Sequence, residues 1–227
     1  MRIPNVKAVL FDFGGTLDAD GVPWRERFFR LWRAEGEDVA HDRFDRAFYA
    51  SDDALVGALS ATLPLADTVG RLARGIGKGL GTADAALPGR VAERFCEDAR
   101  VRLRSSAQLF ERLSQRYRLG VVSNFYGNLA AVCREAGIGS FLSVAVDSAV
   151  VGSSKPHPAI FRAALERIGV EPSESVFVGD SPERDMAGAR GVGMRHVLLA
   201  ECPDKASACC CPHDPVIRRL AEMESLL

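Results

Sequence analysis

No apolar run in this 227-residue chain approaches the roughly 18 residues needed to cross a bilayer, so nothing in it reads as a membrane span. Charge of either sign is not in excess: 29 lysines and arginines stand against 30 aspartates and glutamates, a net charge of −1. Surplus positive charge is what draws proteins to phosphate backbones and anionic lipid, so neither nucleic acid nor membrane is expected as a partner. The opening residues, Met1-Arg2-Ile3-Pro4-Asn5, lack the longer apolar stretch of a secretory signal, and a cytoplasmic location is expected. Six cysteines are present, yet no Cys-x-x-Cys pair. Cys96 and Cys133 fall in helical patterns and read as small buried hydrophobes in a reducing compartment. Cys202 and the run Cys209-Cys210-Cys211, near His213, read as an exposed loop with reactive thiols, because adjacent cysteines do not easily converge on one tetrahedral ion. The glycine-rich segment Gly75-Ile76-Gly77-Lys78-Gly79 lacks the spacing of a nucleotide-binding loop and reads as a flexible loop with a solvated lysine.

What is present is enough apolar residue, 47%, to fill a sizeable core, and a regular alternation of strand-like and helix-like segments. Strands are expected at Val6 to Asp12, Leu119 to Ser123, Val144 to Asp147, Val176 to Gly179 and Arg195 to Leu199. Between them lie helical patterns at 107–116, 128–136, 159–168 and 182–190, and a last helix is expected from a cap at Asp214 with Pro215 in its first turn. Trp24, Phe28, Leu31 and Trp32 share one helical face, Phe44, Phe48 and Leu55 suggest a second helix, and Val91 to Leu103 a further one. The expected fold is α/β: a Rossmann-like parallel sheet core, residues 1–17 plus 105–227, with an inserted helical cap over 18–104.

The polar residues that interrupt this pattern sit at strand ends. Asp12 closes the first strand in Phe11-Asp12-Phe13-Gly14-Gly15-Thr16-Leu17, Ser123 and Asn124 close the second, and Asp180 follows Val176-Phe177-Val178-Gly179. Lys155 lies in Gly152-Ser153-Ser154-Lys155-Pro156-His157-Pro158, and Asp185 in Ser181-Pro182-Glu183-Arg184-Asp185-Met186-Ala187-Gly188-Ala189. In an open parallel sheet the carboxyl ends of the strands form one rim that binds ligands, so Asp12, Ser123 and Asp180 are expected to face one pocket, with Lys155 reaching in from a loop.

Taken in order, the four segments resemble the motifs of the haloacid dehalogenase superfamily, most of whose members are phosphatases. The resemblance spans about residues 6 to 200, with 18–104 matched only in length and helical character. It implies Asp12 as the nucleophile that forms an aspartyl-phosphate and Lys155 as the cation that lets two anions share the site. It also implies Gly15, Ser123 and Asn124 as substrate-binding residues. Mg²⁺ is the implied cofactor, held by Asp12, the carbonyl of Gly14, Asp180 and Asp185. The implied substrate is a small phosphorylated metabolite selected by the cap.

The chain departs from that pattern at Gly14, where phosphatases of the superfamily carry a second Asp that protonates the leaving group, a service worth on the order of 10²- to 10⁴-fold. Three consequences stay open: substrates with good leaving groups, an acid borrowed from the cap or from Asp18 or Asp20, or binding without turnover. Dehalogenase-like members also replace the second Asp but do not need the metal acids kept here. Phosphonatase-like members use a cap lysine, for which Lys78 is the one residue available between 18 and 104. His157, between two prolines, reads as a loop-shaping residue. Arg25, Arg27, Arg30 and Arg33 suit either an anionic substrate or a solvated helix face, and Trp24, Phe28 and Trp32 read as cap core.

Overall fold

In the computed structural model, which describes residues 2–201 and 215–227, one six-stranded sheet carries the fold. Cys202, Cys209, Cys210, Cys211, His213 and Asp214 lie outside the described residues. The strands are β1 (Ala8–Phe11), β2 (Arg118–Ser123), β3 (Leu142–Asp147), β4 (Ser175–Gly179), β5 (Arg195–Leu199) and β6 (Val216–Ile217). They lie in the order β3-β2-β1-β4-β5-β6, and every neighbouring pair is parallel. Such a sheet is covered on both faces, which is why β1 is apolar at every position and fully buried. Successive side chains go to opposite faces. Val9 and Phe11 join a core that includes Phe110, while Ala8 and Leu10 join a second core with Ile160 and Phe161.

Four helices stand between β1 and β2: α1 (Trp24–Ala34), α2 (His41–Leu55), α3 (Leu65–Leu80) and α4 (Leu87–Ser114). The helices expected at 91–103 and 107–116 are one, because no glycine or proline interrupts Arg90 to Ser114. At 28 residues α4 is about 42 Å long at a rise of 1.5 Å per residue. It packs on α3 near its start and reaches the sheet near its end, where the Phe110 ring lies 4.8 Å from that of Phe11. The boundary expected between residues 104 and 105 falls inside this helix.

The remaining helices are α5 (Leu129–Glu135), α6 (Ser148–Val151), α7 (Pro158–Ile168), α8 (Ala187–Gly191) and α9 (Met223–Leu226), with one π-helical turn at Pro182–Met186. Two expectations fail. Residues after Pro215 open no helix: the β-branched pair Val216–Ile217 extends the sheet by pairing with Leu198 and Leu199. Gly75 to Gly79 form no loop but the last turns of α3, where glycine lets helices approach closely. A Cβ at Gly75 would sit 2.8 Å from Ser51 Cβ, and one at Gly77 would sit 2.7 Å from Pro88 Cγ. Lys78 points out from that helix into solvent. Because the Pro88 ring is rigid, Gly77→Val is expected to lower the unfolding free energy by about 1–3 kcal/mol, measured by urea denaturation, despite valine's better helix propensity.

Candidate active site

Parallel strands bring four sequence-distant segments to one rim. Asp12 follows β1, Ser123 ends β2, Asp180 follows β4, and Lys155 enters from the connection between α6 and α7. All four are buried. Ser123 Oγ donates to Asp12 Oδ1 at 2.7 Å, and Lys155 Nζ stands 2.7 Å from both Asp12 Oδ1 and Asp185 Oδ1. Thr16 Oγ1 donates to Asp180 Oδ1 at 3.2 Å, and the Ser181 N–H to Asp185 Oδ2 at 3.0 Å. The π-helical turn folds Asp185 back toward Gly179, whose missing side chain leaves space for that carboxyl.

Burial pushes the Asp180 carboxyl well above the usual range, and the charges of Asp12 and Asp185 add to this. Asp185 is raised by burial against the pull of Lys155. Burial alone would lower the Lys155 ammonium, but Asp12 and Asp185 raise it overall. One carboxylate oxygen each from Asp12, Asp180 and Asp185 lie within 4.8 Å of one another, an acidic cluster able to hold a metal ion.

Asp18 organises the turn after β1. It is fully buried and accepts from the Gly15 N–H, Trp24 Nε1 and Arg27 Nη1, each at 2.7 Å. Arg27 in turn reaches Asp98 at 3.1 Å and stacks 3.8 Å above the Phe95 ring. Asp20 is paired with Arg102. Neither is placed as a proton donor to the rim, since both carboxylates are taken by guanidinium groups. Gly15 is not among the residues lining the cavity and gives its N–H to Asp18; its φ of +87° with Asp180 Oδ2 only 2.6 Å from a built Cβ explains why glycine stands there. Gly14 borders the cavity, but a Cβ there would meet Trp24 Nε1 at 3.1 Å. The indole would have to give by a few tenths of an ångström to admit it.

The cavity over the rim has a volume of about 390 Å³. Its floor is Asp12, Ser123, Lys155, Asp180 and Asp185, and its walls include Trp24, Phe48, Phe125, Tyr126, Arg25 and Asp52. Asn124 borders it, and its amide is bonded to the loop: Oδ1 accepts from the Lys155 N–H at 2.7 Å and Nδ2 donates to the Lys155 carbonyl at 3.1 Å. These bonds hold the Lys155 backbone and leave the second Nδ2 hydrogen of Asn124 uncommitted beside the cavity. His157 caps α7, accepting from the Ala159 N–H at 3.2 Å. The four arginines of α1 divide: Arg25 borders the cavity, Arg27 is buried on Asp18, Arg30 pairs with Glu26 and Glu201, and Arg33 lies near Asp38. Trp24 is both core and cavity wall, while Phe28 and Trp32 are core alone. Cys96 and Cys133 are buried, and burial raises their thiols to about 11 and about 12, as small hydrophobes require. Sequence reading missed Asp52 and Tyr126, whose hydroxyl donates to Asp52 Oδ1 at 2.5 Å. Neither belongs to a motif.

Residues 6–193 match the family described as haloacid dehalogenase-like hydrolase. The chain belongs to that family. Haloacid dehalogenase-like hydrolase domain-containing protein 3 of Bos taurus is 36% identical over 110 residues, 48% of this chain and 41% of that protein. Phosphoserine phosphatase of Thermus thermophilus is 45% identical over 64 residues, 28% of this chain and 26% of its own length. The match thus spans less than half of each curated relative. The crystal structure of a haloacid dehalogenase-family phosphatase from Thermococcus onnurineus superimposes with a TM-score of 0.58 at 25% identity, covering 97% of both chains. The chain has the Rossmann-like α/β fold of that family. Among the described residues no helix is long and apolar enough to cross a membrane.

Because Trp24 is buried and tied to Asp18, it has little room to yield. Gly14→Asp is therefore expected to cost about 1–3 kcal/mol of stability through overpacking, read as a lower urea midpoint.

Proposed function

We propose that the chain is a Mg²⁺-dependent phosphatase acting on a small phosphorylated metabolite, with Asp12 as the nucleophile. The observation that carries this reading is the Asp12 carboxylate fixed at Oδ1 by Ser123 and Lys155, beside the buried pair Asp180 and Asp185. Three buried carboxylates face the one ammonium of Lys155, and hard oxygen donors with surplus negative charge fit a small divalent cation. Asp12, Asp180, Asp185 and the Gly14 carbonyl would hold Mg²⁺, which when bound supplies charge neutralisation for phosphoryl oxygens. The protein residues do the rest. Lys155 offsets the repulsion between Asp12 and the anionic substrate, and Ser123 keeps the carboxylate oriented for in-line attack on phosphorus. Water then hydrolyses the aspartyl-phosphate, returning Asp12.

The relatives named phosphatases support this class, since glyceraldehyde 3-phosphate phosphatase of Methanothermobacter thermautotrophicus is also 37% identical over 97 residues. Dehalogenase chemistry is disfavoured by the retained acids Asp180 and Asp185, and a Lys78 Schiff base by that residue's exposure. A weakened member that binds a phosphoryl ligand without turnover is the second reading, favoured by the absent acid at Gly14. We place the cap at 18–104 and expect a cytoplasmic protein.

Phosphate release from a panel of alkyl, aryl, anomeric and acyl phosphates separates the two readings. Release is expected with Mg²⁺, and its loss with chelator and in Asp12→Asn. Silence across the panel favours the binder. In a thermal melt, Mg²⁺ is expected to raise the midpoint, by the equivalent of about 2.7 kcal/mol at a hundredfold excess over Kd, and Asp180→Asn to remove most of that shift.

A further inference from the structure

Five carboxyl groups border the cavity over Asp12: Asp12 itself, Asp52, Asp180, Glu183 and Asp185. Three of them form the acidic cluster and Glu183 is exposed to solvent. Asp52 is different. It comes from α2, on the far wall from the sheet, and is partly buried beside the aromatic side chains of Phe48, Phe125 and Trp24. Its Oδ1 accepts from the buried Tyr126 hydroxyl at 2.5 Å. Position 14 carries no acid, a Cβ there would press on Trp24 Nε1 at 3.1 Å, and Asp18 and Asp20 are spent on Arg27 and Arg102.

We propose that Asp52 is the general acid and base of the reaction, doing from α2 what position 14 cannot, with Tyr126 holding Oδ1 and leaving Oδ2 to exchange the proton. This rests on the phosphatase reading above. As the Asp12–phosphorus bond forms and the bond from phosphorus to the leaving oxygen breaks, the Asp52 carboxylic acid gives its proton to that oxygen and an alcohol departs. Asp52, now a carboxylate, takes a proton from water as the water oxygen attacks phosphorus, and the Asp12–phosphate bond breaks to release inorganic phosphate. Proton and electron pairs balance over the two steps. Burial raises the Asp52 carboxyl and Asp53 on the same helix adds to this, while the Tyr126 hydrogen bond and Arg184 on the π-helical turn oppose it. Tyr49, Arg25 and Glu183 are the other titratable or charged groups on the walls around it.

The test compares an alkyl ester, glycerol phosphate, with an aryl ester, p-nitrophenyl phosphate, whose leaving group needs no proton. In Asp52→Asn, single-turnover release of glycerol from the alkyl ester is expected to fall about 10²-fold or more while single-turnover release of p-nitrophenol keeps close to its original rate, and the later hydrolysis of the aspartyl-phosphate, common to both esters, slows for both. The alkyl rate of the unaltered protein should fall as pH rises through the Asp52 titration. Tyr126→Phe removes a bond that favours the carboxylate, so it should move that alkaline limb to higher pH. Thermal midpoints of both variants establish that they fold, and Tyr126→Phe carries the test alone if Asp52→Asn does not. Equal loss of glycerol and p-nitrophenol release in the single turnover, a change in KM alone, or a limb unmoved by Tyr126→Phe overturns the acid and leaves the phosphatase reading standing. Absence of turnover of either ester by the unaltered protein, under Mg²⁺, overturns that reading and this proposal with it.

Discussion

The buried carboxylate of Asp18 is the constraint on which the rest of the site depends. A charge taken out of water must be matched by partners on every side, and Asp18 finds them in the turn after β1, in the Trp24 indole and in the Arg27 guanidinium. Those three contacts set the turn that presents Asp12, bring α1 down onto the sheet rim and press the indole against Gly14. Arg27 carries the connection further, to Asp98 and the Phe95 ring on α4. The glycine at position 14 is therefore no isolated loss of an acid. It is the backbone's accommodation to an aromatic side chain that the buried ion pair holds in place.

The rim works by a related economy of charge. Lys155 stands between Asp12 and Asp185, so the two carboxylates share one ammonium, and Asn124 fixes the lysine by gripping its backbone from both sides. Each of these residues comes from a different segment, and only the parallel register makes them neighbours: Phe11 pairs with Val121 and with Val178, so the next residues of β1 and β4 and the end of β2 emerge at one level.

Much of this was legible in the sequence because apolar runs and strand-end polar residues are local signals. The sheet strands β1 to β5, the positions of Asp12, Ser123 and Asp180 on one rim, and the helical segment after β1 follow from them, while Lys155 and Asp185 were read from the family resemblance of their segments. What was not legible depends on partners distant in sequence. Asp18 and Asp20 look like spare acids until Arg27 and Arg102 are seen across from them. Gly75, Gly77 and Gly79 look like a loop because glycine is a poor helix former, and only Ser51, Pro88 and Ala47 against them explain a helix. Val216 and Ile217 are too short a run to announce a strand without β5 alongside. Asp52 and Tyr126 carry no motif and are separated by 74 residues.

The unbroken helix α4 has a consequence for how such enzymes change over time. One end of it packs among the helices above the cavity and the other against Phe11 on the sheet. In a helix each added or deleted residue turns everything beyond it by about 100° and slides it by about 1.5 Å. A one-residue indel in α4 would turn and slide the helices packed on its start, α1 and α3, relative to the sheet. The helix is a gauge block: its residue count, more than its side chains, keeps the wall and the floor in register.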